Sequence, residues 1–347
     1  MNATDLLQSL TRPAAMQPLG APDPHGPIVP APVQLEPVND TLSPADAQLD
    51  LDQIVTSLRT VRLSWREASG RSREPAGREL PSPDTVAHIM DDLCGVLFPM
   101  RLGPPELRPQ EEDIYVRRTL GQTLQFLQGQ VRLELAHDAR LLDDEQRNRG
   151  ELPELARQVV NNLARSLPVI RSLLDSDVAA AFHGQPSARN VDEILLCCPG
   201  VRAMIHHRVA HRLHRLGARL LARMVADLAH SRTGIDIHPG ATIGAGCFID
   251  HGNGVVIGEG VRIGRQVRIH QAVTLDAGDS PRQPGSTTLL AYPTVGDDVV
   301  LHAGATVLGG VSIGQGARIG GNVWLTDDVP AGALVSQATL RQGPARP

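Results

Sequence analysis

The sequence predicts an α+β chain: a helical N-terminal domain followed by a left-handed parallel β-helix. Three observations predict it. Aliphatic residues recur every six positions over the last third of the chain, glycine often follows them directly, and the middle of the chain repeats apolar residues at steps of three and four. Aromatic residues make up only 2% of the 347 residues, against 33 glycines and 27 prolines, so the core must be built from small branched side chains stacked regularly.

Residues 1–50 hold nine prolines, six acids and a single arginine, Arg12. Proline removes backbone donors, and few large apolar residues are present, so this segment is expected to be disordered. Residues 51–232 are expected to form the helical domain. The run from Tyr115 to Leu127 carries its apolar residues at helical spacing, and Pro199-Gly200 ends one helix before the next starts at Val201.

From residue 233 to 332 the period changes. Ile237, Ile243 and Ile249 are six apart, as are Ile257, Ile263, Ile269 and Leu275, and then Val295, Leu301, Val307, Ile313, Ile319 and Leu325. A step of six matches neither a helix nor a lone strand; it is the hexapeptide signature of a β-helix with three flat faces and about 18 residues per coil. Residues 333–347 remain as a C-terminal tail. An ordinary β-sandwich would alternate without the six-residue step.

The net charge of −5 gives no basic footprint for nucleic acid. Arg212, Arg215, Arg219 and Arg223 line one helix face, read as a solvated or ion-paired face. The chain has no lysine, which excludes a P-loop lysine and a Schiff-base lysine. Cys94, Cys197, Cys198 and Cys247 form no CxxC pair and read as buried thiols of a reducing compartment. No signal peptide and no run of 18 apolar residues is seen, so the expectation is a cytoplasmic protein without membrane association.

Function in a solenoid tends to sit where the repeat breaks. The first break stretches Ile249 to Ile257 to eight residues, through Asp250-His251-Gly252-Asn253-Gly254. His251 titrates near neutrality when unperturbed, and Asp236 lies 15 residues earlier, close to one coil. The residues alone leave two readings: His251 is a base oriented by Asp236, or His251 caps a bulge while Asp236 satisfies a turn. The second break expels residues 276–294 as a loop.

The stretch from Ser231 to Gly244, with Asp236-Ile237-His238-Pro239, and the stretch Phe248 to Glu259, with Asp250-His251-x-x-Gly254-x-Val256-x-Gly258-Glu259, resemble the serine O-acetyltransferase family. Leu195-Leu-Cys-Cys-Pro-Gly200 and His207-Arg-Val-Ala-His-Arg-Leu213 look like that family's helical segment, and the likeness runs from about residue 177 to 330. The resemblance implies an acetyl-CoA-dependent acyltransferase of cysteine biosynthesis, with serine the favoured acceptor among small hydroxylated molecules. It implies His251 as general base, Asp236 as its orienting carboxylate and Asp250 as the partner of the acceptor's amino group. It places acetyl-CoA between protomers of a homotrimer or dimer of trimers, near Ala277, Ala303 and Gly321, with no metal.

Departures fall on the acceptor side. Ala291-Tyr292-Pro293 stands where the family places Arg-His-Pro, whose Arg and His hold the serine carboxylate, and Gln185-Pro186-Ser187 stands for an acidic D-P-A segment. Asp276 and Ala277 replace a Gly-rich turn. Three outcomes stay open: Arg282 swings in from the loop, the acceptor is a different alcohol, or the protein is a non-catalytic assembly or regulatory relative. The chain ends in Arg346-Pro347 rather than Ile, so no cysteine synthase complex is expected. His207, His211 and His214 share a helix face, but the resemblance puts no metal there. The spacings among His251, His270 and His302 do not match a γ-type carbonic anhydrase.

Overall fold

The computed structural model describes residues 51–68, 80–141, 150–278 and 291–337. The expected disordered segment 1–50 and the candidate Arg282 lie outside the described residues. The described residues fall into two units, residues 51–68 in the first and the rest in the second. Of the first unit, the described part is helix α1, Leu51–Ala68, whose Leu51, Ile54, Val55, Leu58 and Val61 follow a three-four spacing and stay exposed.

Among the described residues of the second unit seven α-helices precede the strands: α2 (Pro83–Leu97), α3 (Pro99–Leu102), α4 (Glu112–Leu141), α5 (Leu152–Gly184), α6 (Val191–Cys197), α7 (Pro199–Arg215) and α8 (Arg219–Thr233). Proline near the first turn starts α2, α5 and α7, where its missing N–H costs nothing. Val159, Val160, Leu163, Leu167, Ile170 and Leu174 form one buried stripe of α5, the spacing that turns a single face inward. Asn190 caps α6, its side chain accepting from the Glu193 N–H at 2.9 Å. Gly234, in the left-handed region at φ 70°, ends α8 and turns the chain into the first strand.

The remaining chain is a left-handed parallel β-helix of short strands: β1 (Asp236–Ile237), β2 (Thr242–Ile243), β3 (Phe248–Ile249), β4 (Val256–Ile257), β5 (Arg262–Ile263), β6 (Arg268–Ile269), β7 (Thr274–Asp276), β8 (Thr294–Val295), β9 (Val300–Leu301), β10 (Thr306–Leu308), β11 (Ser312–Ile313), β12 (Arg318–Ile319), β13 (Trp324–Leu325) and β14 (Leu334–Val335). They stack as three sheets: β1-β4-β7-β10-β13 (sheet 1), β2-β5-β8-β11 (sheet 2) and β3-β6-β9-β12-β14 (sheet 3). The strands continue to Val335, past the expected boundary at 332.

Register puts the six-residue series into vertical columns. Ile237 pairs with Ile257, Ile257 with Leu275, Leu275 with Val307, and Val307 with Leu325. Sheet 3 stacks Ile249, Ile269, Leu301, Ile319 and Val335 in the same way. A second inward series, not singled out from the sequence, lies two residues earlier: Val255, Val261, Val267, Val273 and Val299 are all 0% exposed. Two small branched residues per hexad fill the narrow bore, which explains why so few aromatics suffice.

The helices close the N-terminal end of the β-helix. A buried ion pair between Asp177 on α5 and Arg208 on α7 is part of that seam, because Asp177 also accepts from the Cys247 N–H at 2.9 Å and Arg208 donates to the Gly244 and Ile243 carbonyls. Correcting the expectation of four buried thiols, Cys197 is exposed and Cys94 and Cys198 are half-buried. Burial pushes the Cys247 thiol up to about 12, which keeps it protonated and inert. Among the described residues, no helix is long and apolar enough to cross a membrane.

Candidate active site

The eight-residue break folds as a bulge at the corner between sheets 3 and 1. His251 adopts φ 59°, a left-handed conformation uncommon for a residue with a side chain, and Gly252 and Gly254 follow at φ 81° and 74°. Such a backbone costs about 1–3 kcal/mol and persists only where its surroundings impose it. A Cβ at Gly252 would overlap Ile235, so the bulge has to be glycine there. The outcome is a pair of opposite character. The side chain of Asp250 is largely covered, 12% exposed, while that of His251 is 73% exposed.

Asp250 is the centre of the cluster. Its Oδ2 accepts from Arg268 Nη2 at 2.5 Å and lies 3.5 Å from His270 Nδ1, while its Oδ1 lies 3.8 Å from His251 Nε2. Arg268 and His270 flank Ile269, the column residue directly below Ile249, which sets them one coil from Asp250. His270 stacks on His302 of the next coil, the rings 5.2 Å apart and tilted by 11°. Burial, then the charge of Arg268, lowers the pKa of His270, with Asp250 acting in the opposite sense. Arg268 sits 5.1 Å over the Phe248 ring.

A cavity of about 310 Å³ opens beside this corner, walled by the ends of α5 and α6, the start of α7 and the bulge. Gln185, Asp250 and His251 all line it, so the structure gathers three of the residues expected from the sequence. Glu193, Cys197 and Cys198 line it too and were not foreseen. Glu193 is held by the Arg189 N–H, which donates to its Oε2 at 2.9 Å.

Other expected residues are not among those lining the cavity. Asp236 begins β1 on the outward row of sheet 1, in register with Val256. It acts on His238, whose pKa burial lowers while Glu259, Asp236 and Asp276 oppose the shift. The Asp236 N–H donates to the Val255 carbonyl, which seats it one coil from the end of the bulge that carries His251. Tyr292 packs over Gly260 at the corner between sheets 1 and 2, across sheet 1 from His251. Ala277 is at that same corner, its N–H donating to Asp276 Oδ1 at 2.8 Å, so Asp276 is engaged by its own turn.

Ala303 and Gly321 do share the edge of His251. The Asn322 N–H donates to the Ala303 carbonyl and the Gly304 N–H to that of Gln271, a ladder that carries the edge downward coil by coil. They lie two and three coils below His251, about 10 and 14 Å at one strand spacing per coil.

The histidines at 207, 211 and 214 are packing groups. His207 and His211 contact at 5.8 Å, His214 meets His238 edge-on at 5.9 Å, and burial drives the pKa of His207 well down. Among the described residues no group of three or more His, Cys, Asp or Glu side chains is gathered as an ion would require.

Residues 292–327 match the bacterial transferase hexapeptide family (six repeats). A plasmid serine acetyltransferase of Synechococcus elongatus is 47% identical over 265 residues, covering 76% of this chain and 83% of its own. The serine acetyltransferase of Mycobacterium tuberculosis is 48% identical over 159 residues, covering 46% of this chain and 67% of its own. Among solved structures, serine acetyltransferase isoform 3 of Entamoeba histolytica in complex with cysteine superposes with a TM-score of 0.61 at 30% identity, over 79% of this chain and 86% of that one. The 265-residue match reaches well beyond the segment 177–330 that carries the sequence motifs, into the N-terminal helices. With a β-helix whose one corner bulge sets an Asp-His pair against a cavity, and with a relative this similar along most of both chains, the protein belongs to the serine acetyltransferase family.

Proposed function

We propose that this chain transfers the acetyl group of acetyl-CoA to the hydroxyl of L-serine, giving O-acetyl-L-serine and CoA. The observation that carries the reading is the bulge itself, which holds an exposed imidazole at the mouth of a 310 Å³ cavity with a buried carboxylate beside it. His251 removes the hydroxyl proton as the serine oxygen attacks the thioester carbonyl. The tetrahedral intermediate then collapses, the C–S bond breaks, and the imidazolium returns the proton to the CoA sulfur. A positioned base of this kind contributes roughly 10²–10⁴-fold, and holding both substrates in place adds the larger proximity effect.

Asp236 serves in this reading as the carboxylate that orients the imidazole. The exposed His251 ring can turn about its side-chain bonds away from Asp250. The chain acts as a homotrimer or a dimer of trimers, with acetyl-CoA along the protomer groove. Ala272, Ala303, Gly304 and Gly321 suit that role, since small residues along one edge allow an extended ligand close to the backbone. The absence of a charged residue at Ala291 favours one rival, a small alcohol acceptor without a carboxylate.

Thiol release from acetyl-CoA, measured with and without L-serine for the wild type and His251→Ala, tests the proposal. Serine-dependent release lost in the variant supports it. Binding of acetyl-CoA without serine-dependent release turns the assignment to another acceptor, and neither binding nor release leaves a non-catalytic assembly protein.

A further inference from the structure

Accepting an amino acid as substrate, the reading above, sets a charge requirement on the cavity. A zwitterion needs an anion for its ammonium and a cation for its carboxylate, each close enough to replace lost hydration. The anions are present, since Asp250 and Glu193 line the cavity. The loop position where the family resemblance expects a guanidinium is Ala291, which offers none.

A guanidinium from the β-helix itself does reach the cavity-lining Asp250. Arg268 is on β6, one coil below Asp250, and its Nη2 donates to Asp250 Oδ2 at 2.5 Å. Its Cζ lies 3.9 Å from where a Cβ on Gly184 would stand, directly before the cavity-lining Gln185. The Phe248 ring supports one face of the group. Its hydrogen bonding is incomplete, because Nε is shielded from solvent and has no partner among the described residues. A guanidinium presents five donors in a planar fork suited to bidentate carboxylate binding, and here a single one is satisfied by Asp250. His270, beside it, is kept from the charged state by burial and by the charge of Arg268, so the permanent cation of the pair is Arg268.

We infer that Arg268 is the residue that binds the acceptor's carboxylate, and that the Asp250–Arg268 ion pair opens to clamp the two ends of the amino acid. The ammonium of the acceptor takes over Asp250 and its carboxylate takes over the freed donors of Arg268. The internal pair thereby keeps both charges neutralised before the acceptor binds. His270 holds the Asp250 carboxylate from its other side, 3.5 Å from the same oxygen, and so positions it during the exchange.

The test compares L-serine with L-serinamide, which keeps the hydroxyl and ammonium and lacks the carboxylate, in the thiol-release assay on the full chain. Wild type is expected to favour serine by at least about tenfold in kcat/KM, since removing one member of a buried charged contact costs that much or more. Arg268→Gln is expected to raise the serine KM by about 50-fold or more, to leave the acetyl-CoA KM within about threefold, and to abolish the preference for serine over its amide. Arg268→Lys keeps the charge and is expected to recover part of the preference, which covers the case in which the glutamine variant folds poorly. Equal losses on serine and serinamide in Arg268→Gln, or no preference in the wild type, overturn the inference while leaving serine acetylation standing. Turnover of carboxylate-free alcohols with no turnover of serine by the wild type overturns both.

Discussion

The carboxylate of Asp177 and the guanidinium of Arg208 meet at 3.0 Å at a point where both side chains are almost wholly buried, 1% and 6% exposed. Each reaches past its partner to the β-helix backbone, Asp177 to the Cys247 N–H and Arg208 to the carbonyls of Ile243 and Gly244. The pair therefore joins α5 and α7 to the turn between β2 and β3, directly ahead of the strand that leads into Asp250. Burial raises the pKa of Asp177, and the Arg208 charge is the largest effect opposing it.

Removing one partner leaves the other buried and uncompensated. Arg208→Met is expected to destabilise the protein by about 3–5 kcal/mol, read as a lower denaturant midpoint. The double variant Arg208→Met with Asp177→Asn is expected to recover part of that loss, because no uncompensated charge then remains. A double variant no better than the single one contradicts this account.

Gly200 lies in the first turn of α7, where a Cβ would overlap the carbonyl oxygen of Ile249. That obstacle is backbone, so the helix or the strand must move. Gly200→Ala is expected to cost about 1–3 kcal/mol through overpacking, and to lower kcat/KM because Ile249 adjoins Asp250. Gly129, inside α4 with nothing within 4 Å of its would-be Cβ, is the control. Gly129→Ala is expected to stabilise the helix by about 0.5–1 kcal/mol, read as a raised midpoint without change in turnover.

Glu134 is a buried acid on α4 that accepts from the Leu220 and Leu221 N–H groups at the start of α8, at 2.7 and 3.0 Å. Burial outweighs those hydrogen bonds and raises its pKa from 4.5 to about 7. Because the folded value lies above the unfolded one, its contribution to stability is full below about pH 4.5 and is lost as pH rises through about 7. The loss is of order 3 kcal/mol at 1.36 kcal/mol per unit. Denaturant midpoints from pH 4.5 to 8 check this: Glu134→Gln should flatten that part of the profile, and an unchanged profile contradicts the assignment.

His251→Ala is expected to reduce kcat by about 10²–10⁴-fold with the acetyl-CoA KM little altered, since a base acts in the transition state. Asp236→Asn is expected to reduce kcat by a smaller factor, about tenfold or more, with a lesser effect on either KM. Steady-state kinetics with both substrates varied separate the two roles. An Asp236→Asn enzyme with wild-type kcat removes Asp236 from the mechanism and leaves Asp250 as the carboxylate that serves His251.

The inward columns of the β-helix were legible because a stacked solenoid repeats one geometric problem every six residues, and Ile237, Ile257, Leu275, Val307 and Leu325 solve it alike. The second column, Val255 to Val299, carries the same information but is harder to see, since alanine and cysteine also fill it at Ala241 and Cys247. The bulge at Asp250-His251 was legible as a departure from the period. Gln185 was expected through resemblance alone; that it shares a cavity with His251 depends on α5 ending against Phe248, where a Cβ on Gly184 would come within 2.7 Å of the ring.

By itself the sequence determined the repeat, its interruption and the chemical types at the interruption, because each follows from local spacing. Only the tertiary structure decided which side chains meet. Arg268 and His270 come to Asp250 because a coil returns the chain one strand spacing below itself, so neighbours in space are separated by 18 and 20 residues. The same winding sets Tyr292 at a different corner from His251, since a residue's corner depends on the number of residues in every preceding turn. The charge environment of the site thus follows from coil count, a global quantity, while the identity of its base follows from a local break in the period.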